Sequence, residues 1–169
     1  MKSCAFKITY VYYIILMDRK HFIGRLVLLD GTPRILQDFL NYMETIRGKS
    51  PNTIREYRYD LRLFLKFIKR LRRNDGTDLE SIDISDVDES LLREVTLSDL
   101  YSFISYAGRD RENNASTRAR KVASLRSFFN YLTNKAKAID INPASELESP
   151  KILKKLPRYL NIEESKRLL

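Results

Sequence analysis

The stretch Ser50–Arg73, "SPNTIREYRYDLRLFLKFIKRLRR", decides the fold. Ser50 is a good helix cap and Pro51 suits the first helical turn, and no further proline or glycine interrupts the chain before Asn74. Apolar side chains recur every three or four residues, which predicts one long amphipathic helix. The side expected to enter the core carries Ile54, Tyr57, Leu61, Phe64, Leu65, Ile68 and Leu71.

Helical patterns also flank this stretch. Before it, Thr32 as cap and Pro33 as first helical residue predict a helix that ends near Gly48. After it, Asn74-Asp75-Gly76 breaks the helix, and an acidic connector comes next, with a short helix around Glu89–Arg93.

Two more helices complete the pattern. Thr96 and Asp99 resemble a capping box that opens a helix ending at Gly108. The stretch 116–132, "STRARKVASLRSFFNYL", is the next helix, and Asn142-Pro143 ends the segment after it. No strand alternation or glycine-rich phosphate loop competes, so the sequence predicts an all-α fold.

Positive charge is concentrated in two of these helices. The chain of 169 residues has a formal net charge of +9. Residues 50–73 hold eight cations and two acids, and residues 114–137 hold six cations and no acid. The stretch 74–100 holds nine acids and only Arg93. Such confinement favours a surface that binds a polyanion, because generic solubility needs no segregation of charge.

On the long helix, six cations and no acid fall within one narrow band of the helical wheel: Arg55, Arg58, Arg62, Lys66, Lys69 and Arg73. A solvated helix face is the alternative, but such faces usually mix signs. On the last helix the side opposite the core is predicted to be short and polar, with Thr117, Arg120, Ser124, Ser127 and Tyr131. A helix with such a face fits the major groove of B-DNA, and Ser116 and Thr117 near its start suit phosphate.

Other classes of function find little support. Cys4 is the only cysteine and cannot form an intramolecular disulfide, and no Cys/His cluster suits zinc. His21 is the only histidine and is expected on the surface. We therefore expect no metal or other cofactor, and a reducing, cytoplasmic location.

The N-terminal residues 1–31 are expected to form an extension. Residues 4–17 are apolar except for Lys7, but they are too short for a membrane span of about 20 residues. They also lack a signal-peptidase site. Sequence translated ahead of a start at Met17 is the favoured interpretation, and a buried element or a membrane anchor are the alternatives. A chain that starts at Met17 should keep its helical circular dichroism and its cooperative melting.

The order of motifs resembles a known family. "SPNTIREYRYDLRLF" is similar to the S-x-x-T-x-x-x-Y-x-x-D-L-x-x-F signature of the core-binding domain of tyrosine recombinases and phage-type integrases, particularly the Xer type. "TRARKVASLRSFF" resembles that domain's T-x-x-R-[KR]-x-x-x-L-R-x-F-[FY] element. "NPASELESPKILKKLPRYLNIEESKRLL" resembles its exit linker and the first helix of the catalytic domain.

The resemblance implies a four- to five-helix orthogonal bundle, a SAM-like core-binding domain, over residues 32–147. Residues 148–169 would then hold the linker and the start of a catalytic domain. It implies that the second and fourth helices face double-stranded DNA and that neighbouring recombinase protomers touch through this domain. Tyr57, Leu61 and Phe64 fall on the buried side, and Arg126 lies near the core edge, where a structural salt bridge is the alternative role. The residues expected to bind DNA are Asn52, Thr53, Arg55, Arg58, Arg62, Ser116, Thr117, Arg120, Lys121 and Ser124.

The same resemblance implies that this chain binds DNA without cutting it. In the family the catalytic arginines, lysine, histidines and tyrosine belong to a C-terminal domain, and only about one helix of that domain is expected here. Two alternatives are a helical transcriptional regulator, which the long acidic connector disfavours, and a protein-interaction module.

Overall fold

The computed structural model describes residues 31–73, 78–109, 111 and 113–151. Within these ranges the chain forms five α-helices and a short 3-10 turn, with no strand. The expected all-α fold is therefore confirmed. The predictions for residues 1–30 and 152–169 lie outside the described residues. The helices are α1 (Arg34–Thr45), α2 (Pro51–Arg73), α3 (Glu89–Arg93), α4 (Leu97–Arg109) and α5 (Ala115–Asn134), and the 3-10 turn is Leu79–Ser81.

Helix α2 is the centre of the bundle. It packs against α1, α4, α5 and the 3-10 turn. The fully buried ring of Phe64 lies 5.3 Å from Phe103 of α4 and 5.9 Å from Phe129 of α5, measured between ring centroids. Helix α1 closes the other side through Phe39, whose ring is 5.2 Å from that of Phe128. Edge-to-face rings of this kind bury much apolar area in a specific geometry.

The predicted helix starts of α2 and α4 are confirmed in detail. Helix α2 begins at Pro51, and the Thr53 amide donates to Ser50 Oγ at 3.4 Å. At the start of α4, the Thr96 amide donates to the Asp99 carboxylate at 2.9 Å, and the Asp99 amide donates to Thr96 Oγ1 at 3.3 Å. Asp99 therefore serves in the capping box in place of the usual glutamate.

The predicted start of α1 is wrong by one residue. Pro33 has an extended backbone and precedes the first helical residue, Arg34, and no side chain caps this end. Thr32 is buried, and its hydroxyl accepts a hydrogen bond of 2.8 Å from Arg62 Nη1 of α2. This hydrogen bond therefore links the residues just before α1 to α2.

The predicted outer face of α5 is also wrong beyond its first turns. Ser124 is fully buried, and Ser127 Oγ donates to Met43 Sδ of α1 at 3.6 Å. The ring of Tyr131 lies 5.0 Å from that of Tyr42. The physical reason is that α5 has neighbours on two sides, with α2 and α4 against one and α1 against the other. On α2, Leu71 is also 42% exposed, contrary to its predicted place in the core.

The aromatic centre yields a prediction for stability. Phe64→Ala should lower the free energy of unfolding by about 3–5 kcal/mol, because it leaves a cavity between α2, α4 and α5. Urea denaturation followed by circular dichroism measures this loss. Tyr59→Ala on the same helix is the control, since Tyr59 is 62% exposed and should change stability by less than about 0.5 kcal/mol. Equal losses in the two variants would contradict the packing described here.

Candidate nucleic-acid interface

The acidic connector, residues 78–96, folds back over the C-terminal half of α2. Lys66 Nζ donates to the Glu80 carbonyl at 2.7 Å and lies 3.7 Å from the Glu80 carboxylate. Lys69 is buried, donates to the Asp83 carbonyl at 2.7 Å and pairs with the Asp86 carboxylate. These two lysines are therefore occupied within the protein.

Arg72, near the end of α2, also pairs with acidic residues. Arg72 Nη2 lies 2.9 Å from the Asp99 carboxylate, and its Nε lies 3.8 Å from Glu94. Beyond α4, Arg111 pairs with Glu80. The interpretation of α2 as one continuous cationic stripe is thus wrong at Lys66 and Lys69, because acids of the connector pair with both.

The N-terminal half of α2 presents a different surface. Asn52 and Arg55 are exposed, and Arg58 and Arg62 are partly exposed. Among the described residues, Arg55 pairs only with the neighbouring Glu56 carboxylate, in a long surface contact of 3.8 Å. Thr53 is partly buried, and its hydroxyl is 3.0 Å from Ser50 Oγ, so it takes part in the helix cap.

The start of α5 lies beside this half of α2. Asn114 caps the helix by accepting from the Thr117 amide at 2.8 Å. Ser116 is exposed and Thr117 is partly exposed. The side chain of Arg120 is 33% exposed, and its Nη1 reaches the Glu56 carboxylate of α2 at 3.0 Å. We call the exposed surface formed by the first halves of α2 and α5 the basic edge: Asn52, Arg55, Arg58, Tyr59, Ser116, Thr117 and Arg120.

Beneath the basic edge lies a buried ionic cluster around Asp60. This carboxylate is 2% exposed and accepts from Lys121 Nζ at 2.7 Å and from Arg120 Nη1 at 2.6 Å. Burial raises the pKa of Asp60 above its ordinary value, while the hydrogen bond and charge of Lys121 oppose that rise. Burial likewise raises the pKa of the nearby Tyr57 hydroxyl.

Two of the predicted DNA-binding residues are therefore internal. Lys121 has a side chain only 6% exposed and serves as the counterion of Asp60. Ser124 is fully buried, and its hydroxyl donates to the Lys121 carbonyl at 2.9 Å. The helical pattern placed Ser124 on the outer face, and Lys121 was expected to bind DNA because it belongs to the basic pair of the family motif. The packing of α5 against α2 turns both inward.

Sequence reasoning missed two exposed side chains. Tyr59 is 62% exposed on α2, in register with Asn52 and Arg55, and that spacing alone could have identified it. Arg126 of α5 is exposed, although the pattern placed it at the core edge. No salt bridge involves Arg126 among the described residues, so the structural ion pair considered for it does not form there.

Two other kinds of site are not found. Within residues 31–73, 78–109, 111 and 113–151, no three His, Cys, Asp or Glu side chains are grouped so that they could hold a metal ion. None of the helices described in these ranges is both long and apolar enough to cross a membrane.

The pairing of the connector yields a prediction for acid titration. The hydrogen bond from Lys69 lowers the pKa of the Asp86 carboxyl, and that from Arg111 lowers the pKa of Glu80. A lowered pKa in the folded state means that these pairs contribute stability above about pH 4 and that the contribution is lost as the pH falls through the lowered values. Lys69→Gln should therefore raise the pKa of Asp86 towards its ordinary value.

Carboxyl carbon chemical shifts followed by NMR between about pH 2 and pH 6 measure this change across the ordinary carboxyl range. Glu80 is the internal control, since its main partner is Arg111 and its pKa should remain low in Lys69→Gln. An unchanged pKa of Asp86 in this variant would contradict the pairing of the connector with α2.

Comparison with known proteins agrees with this architecture. Residues 36–95 match the family model described as "Phage integrase, N-terminal SAM-like domain". The chain is 53% identical over 139 residues to tyrosine recombinase XerC of Caldanaerobacter subterraneus subsp. tengcongensis, an alignment that covers 81% of this chain and 39% of that protein. It is 34% identical over 137 residues to tyrosine recombinase XerD of Listeria monocytogenes, covering 80% of this chain and 40% of the relative.

The chain thus spans about 40% of the length of these curated relatives. No solved structure gives a significant match. The family model therefore matches the part of the bundle from α1 to α3, and over about four-fifths of its length the chain is similar to Xer-type tyrosine recombinases.

Proposed function

We propose that this chain binds double-stranded DNA in a sequence-directed way, as the core-binding domain of a site-specific tyrosine recombinase. The observation that carries the proposal is the division of charge along α2. The acidic connector pairs with cations in the C-terminal half, while Arg55 is exposed in the N-terminal half, next to the partly exposed Arg120 of α5. The names of the relatives as recombinases support a DNA substrate.

The basic edge has the chemistry that a duplex requires. Arginine side chains contact phosphates and release counterions, which supplies most of the affinity that does not depend on sequence. The start of an α-helix fits the major groove, where an arginine can donate two hydrogen bonds to guanine. Ser116 and Thr117 are short donors at the start of α5 and suit phosphate contacts.

The affinity of the isolated chain should be modest. Several cations of α2 are already paired with the connector, so only a few phosphates can be neutralised. We expect a Kd of about 1 μM or weaker at physiological salt, as for non-specific binding in general.

Two variants of α2 test the location of this surface. Arg55→Gln and Lys66→Gln each remove one positive charge from the same helix, but only Arg55 lies on the basic edge. Arg55→Gln should weaken binding to all duplexes alike and reduce the slope of log K against log salt by about one unit. Lys66→Gln should leave that slope unchanged.

Fluorescence anisotropy with a labelled duplex of about 30 base pairs across a salt series measures both effects. Equal losses in the two variants would show an effect of net charge alone and contradict the basic edge. No binding by the unsubstituted chain at low salt would contradict the proposed function itself.

We also propose that these 169 residues do not transfer DNA strands. Transfer through tyrosine needs cationic groups around the phosphate and a general acid for the leaving hydroxyl, and His21 is the sole histidine here. Incubation with duplex DNA, nicked or intact, should therefore give no covalent adduct on a denaturing gel. A band that survives denaturation and disappears with protease would contradict this part of the proposal.

A further inference from the structure

Arg120 of the basic edge contacts the buried ionic cluster through one side of its guanidinium group. Arg120 makes its contacts with Asp60, with the Glu56 carboxylate and with the Glu56 carbonyl through one nitrogen, Nη1. No contact of Arg120 within the described ranges uses Nε or Nη2. No side-chain nitrogen there is buried without a hydrogen-bond partner, so Nε and Nη2 reach solvent.

This geometry leaves one complete edge of the guanidinium available. The Nε–Nη2 edge is a planar pair of donors that matches a phosphate or the O6 and N7 atoms of guanine. An unrestrained arginine loses rotamer freedom when it binds, whereas a guanidinium already held at Nη1 has less to lose. The carboxylate that holds it, Asp60, is 2% exposed and too deep in the bundle to meet DNA itself.

We propose that Asp60 is a positioning residue for DNA binding, which anchors Nη1 of Arg120 so that the Nε–Nη2 edge is presented to DNA as a bidentate donor. Lys121 then acts as an internal counterion that keeps Asp60 ionised, and not as a DNA contact. This inference rests on the proposed function of the basic edge, and it adds a role for a residue that DNA does not touch.

The test needs a variant that removes the anchor without adding charge or leaving a buried ion alone. The double variant Asp60→Leu with Lys121→Met meets both needs, since it replaces an acid and a base by apolar side chains and leaves the net charge at +9. Exchange of a complete buried pair for apolar residues is often neutral or stabilising, whereas removal of one partner is strongly destabilising.

Affinity is measured by fluorescence anisotropy on two labelled duplexes, one of mixed sequence and one selected from a randomised pool by the unsubstituted chain. We expect the double variant to bind the preferred duplex about tenfold more weakly, close to the loss in Arg120→Ala. Addition of Arg120→Ala to the double variant should then cause little further loss, because both changes remove the same interaction. Arg120→Lys, which keeps the charge but loses the planar pair of donors, should resemble Arg120→Ala on the preferred duplex.

A matched control uses a guanidinium–carboxylate pair at the opposite end of α2. Arg72→Gln with Asp99→Asn also leaves the net charge unchanged but lies at the end covered by the acidic connector. It should change DNA affinity by less than about twofold. Thermal melting of every variant shows that the proteins are folded at the temperature of the binding assay.

The outcomes separate the two proposals. A folded double variant that binds DNA as well as the unsubstituted chain would overturn the positioning role and leave the proposed function intact. A loss that persists undiminished in the Arg120→Ala background would also overturn it, since Asp60 would then act by another route. Failure of the unsubstituted chain to bind either duplex would overturn the proposed function.

Discussion

The packing of α2 against α5 requires that the buried negative charge of Asp60 be compensated. Asp60 lies on the side of α2 that faces the core, and an isolated charge at that depth would cost far more than a hydrogen bond can return. Lys121 and Arg120 of α5 compensate this charge, because each donates a hydrogen bond to one of the two carboxylate oxygens. The rotation of α5 that places both cations there is the same one that buries Phe128 and Phe129 in the core.

The two halves of α2 also differ in their electrostatic surroundings. The helix has 23 residues, and the acidic connector lies against its C-terminal half, where connector acids pair with Lys66, Lys69 and Arg72. The partners in these pairs are 14 to 22 residues apart in sequence, so the pairs also join distant parts of the chain. The acidic connector makes no such pair with the N-terminal half among the described residues, where Arg55 is exposed.

Local signals made most of the fold predictable from the sequence. Ser50-Pro51, the Thr96–Asp99 capping box and the short helix at Glu89–Arg93 depend on residues close together in the chain, and each is found where the pattern places it. The errors concern contacts between distant residues. The face of α5 was inferred for a helix with one buried side, but the helix has neighbours on two sides. Ser124 is therefore buried, and Tyr131 is partly buried against Phe39 and Tyr42 of α1. The neutralisation of Lys66 and Lys69 required knowledge of where the acidic connector folds, which no spacing within α2 contains.

The two kinds of ion pair on α2 differ in what they can contribute. A pair at the surface, such as Lys66 with Glu80, gains little stability because water screens it and because long side chains lose freedom. The Asp60 cluster is largely desolvated, so its attraction is stronger, but desolvation of both ions offsets much of that gain. Stability alone is therefore a weak reason for an aspartate and a lysine at this depth, where two apolar side chains would serve as well. What apolar side chains could not do is hold one nitrogen of Arg120 in place while its remaining donors reach solvent, and that is the property that links the interior of the bundle to the basic edge.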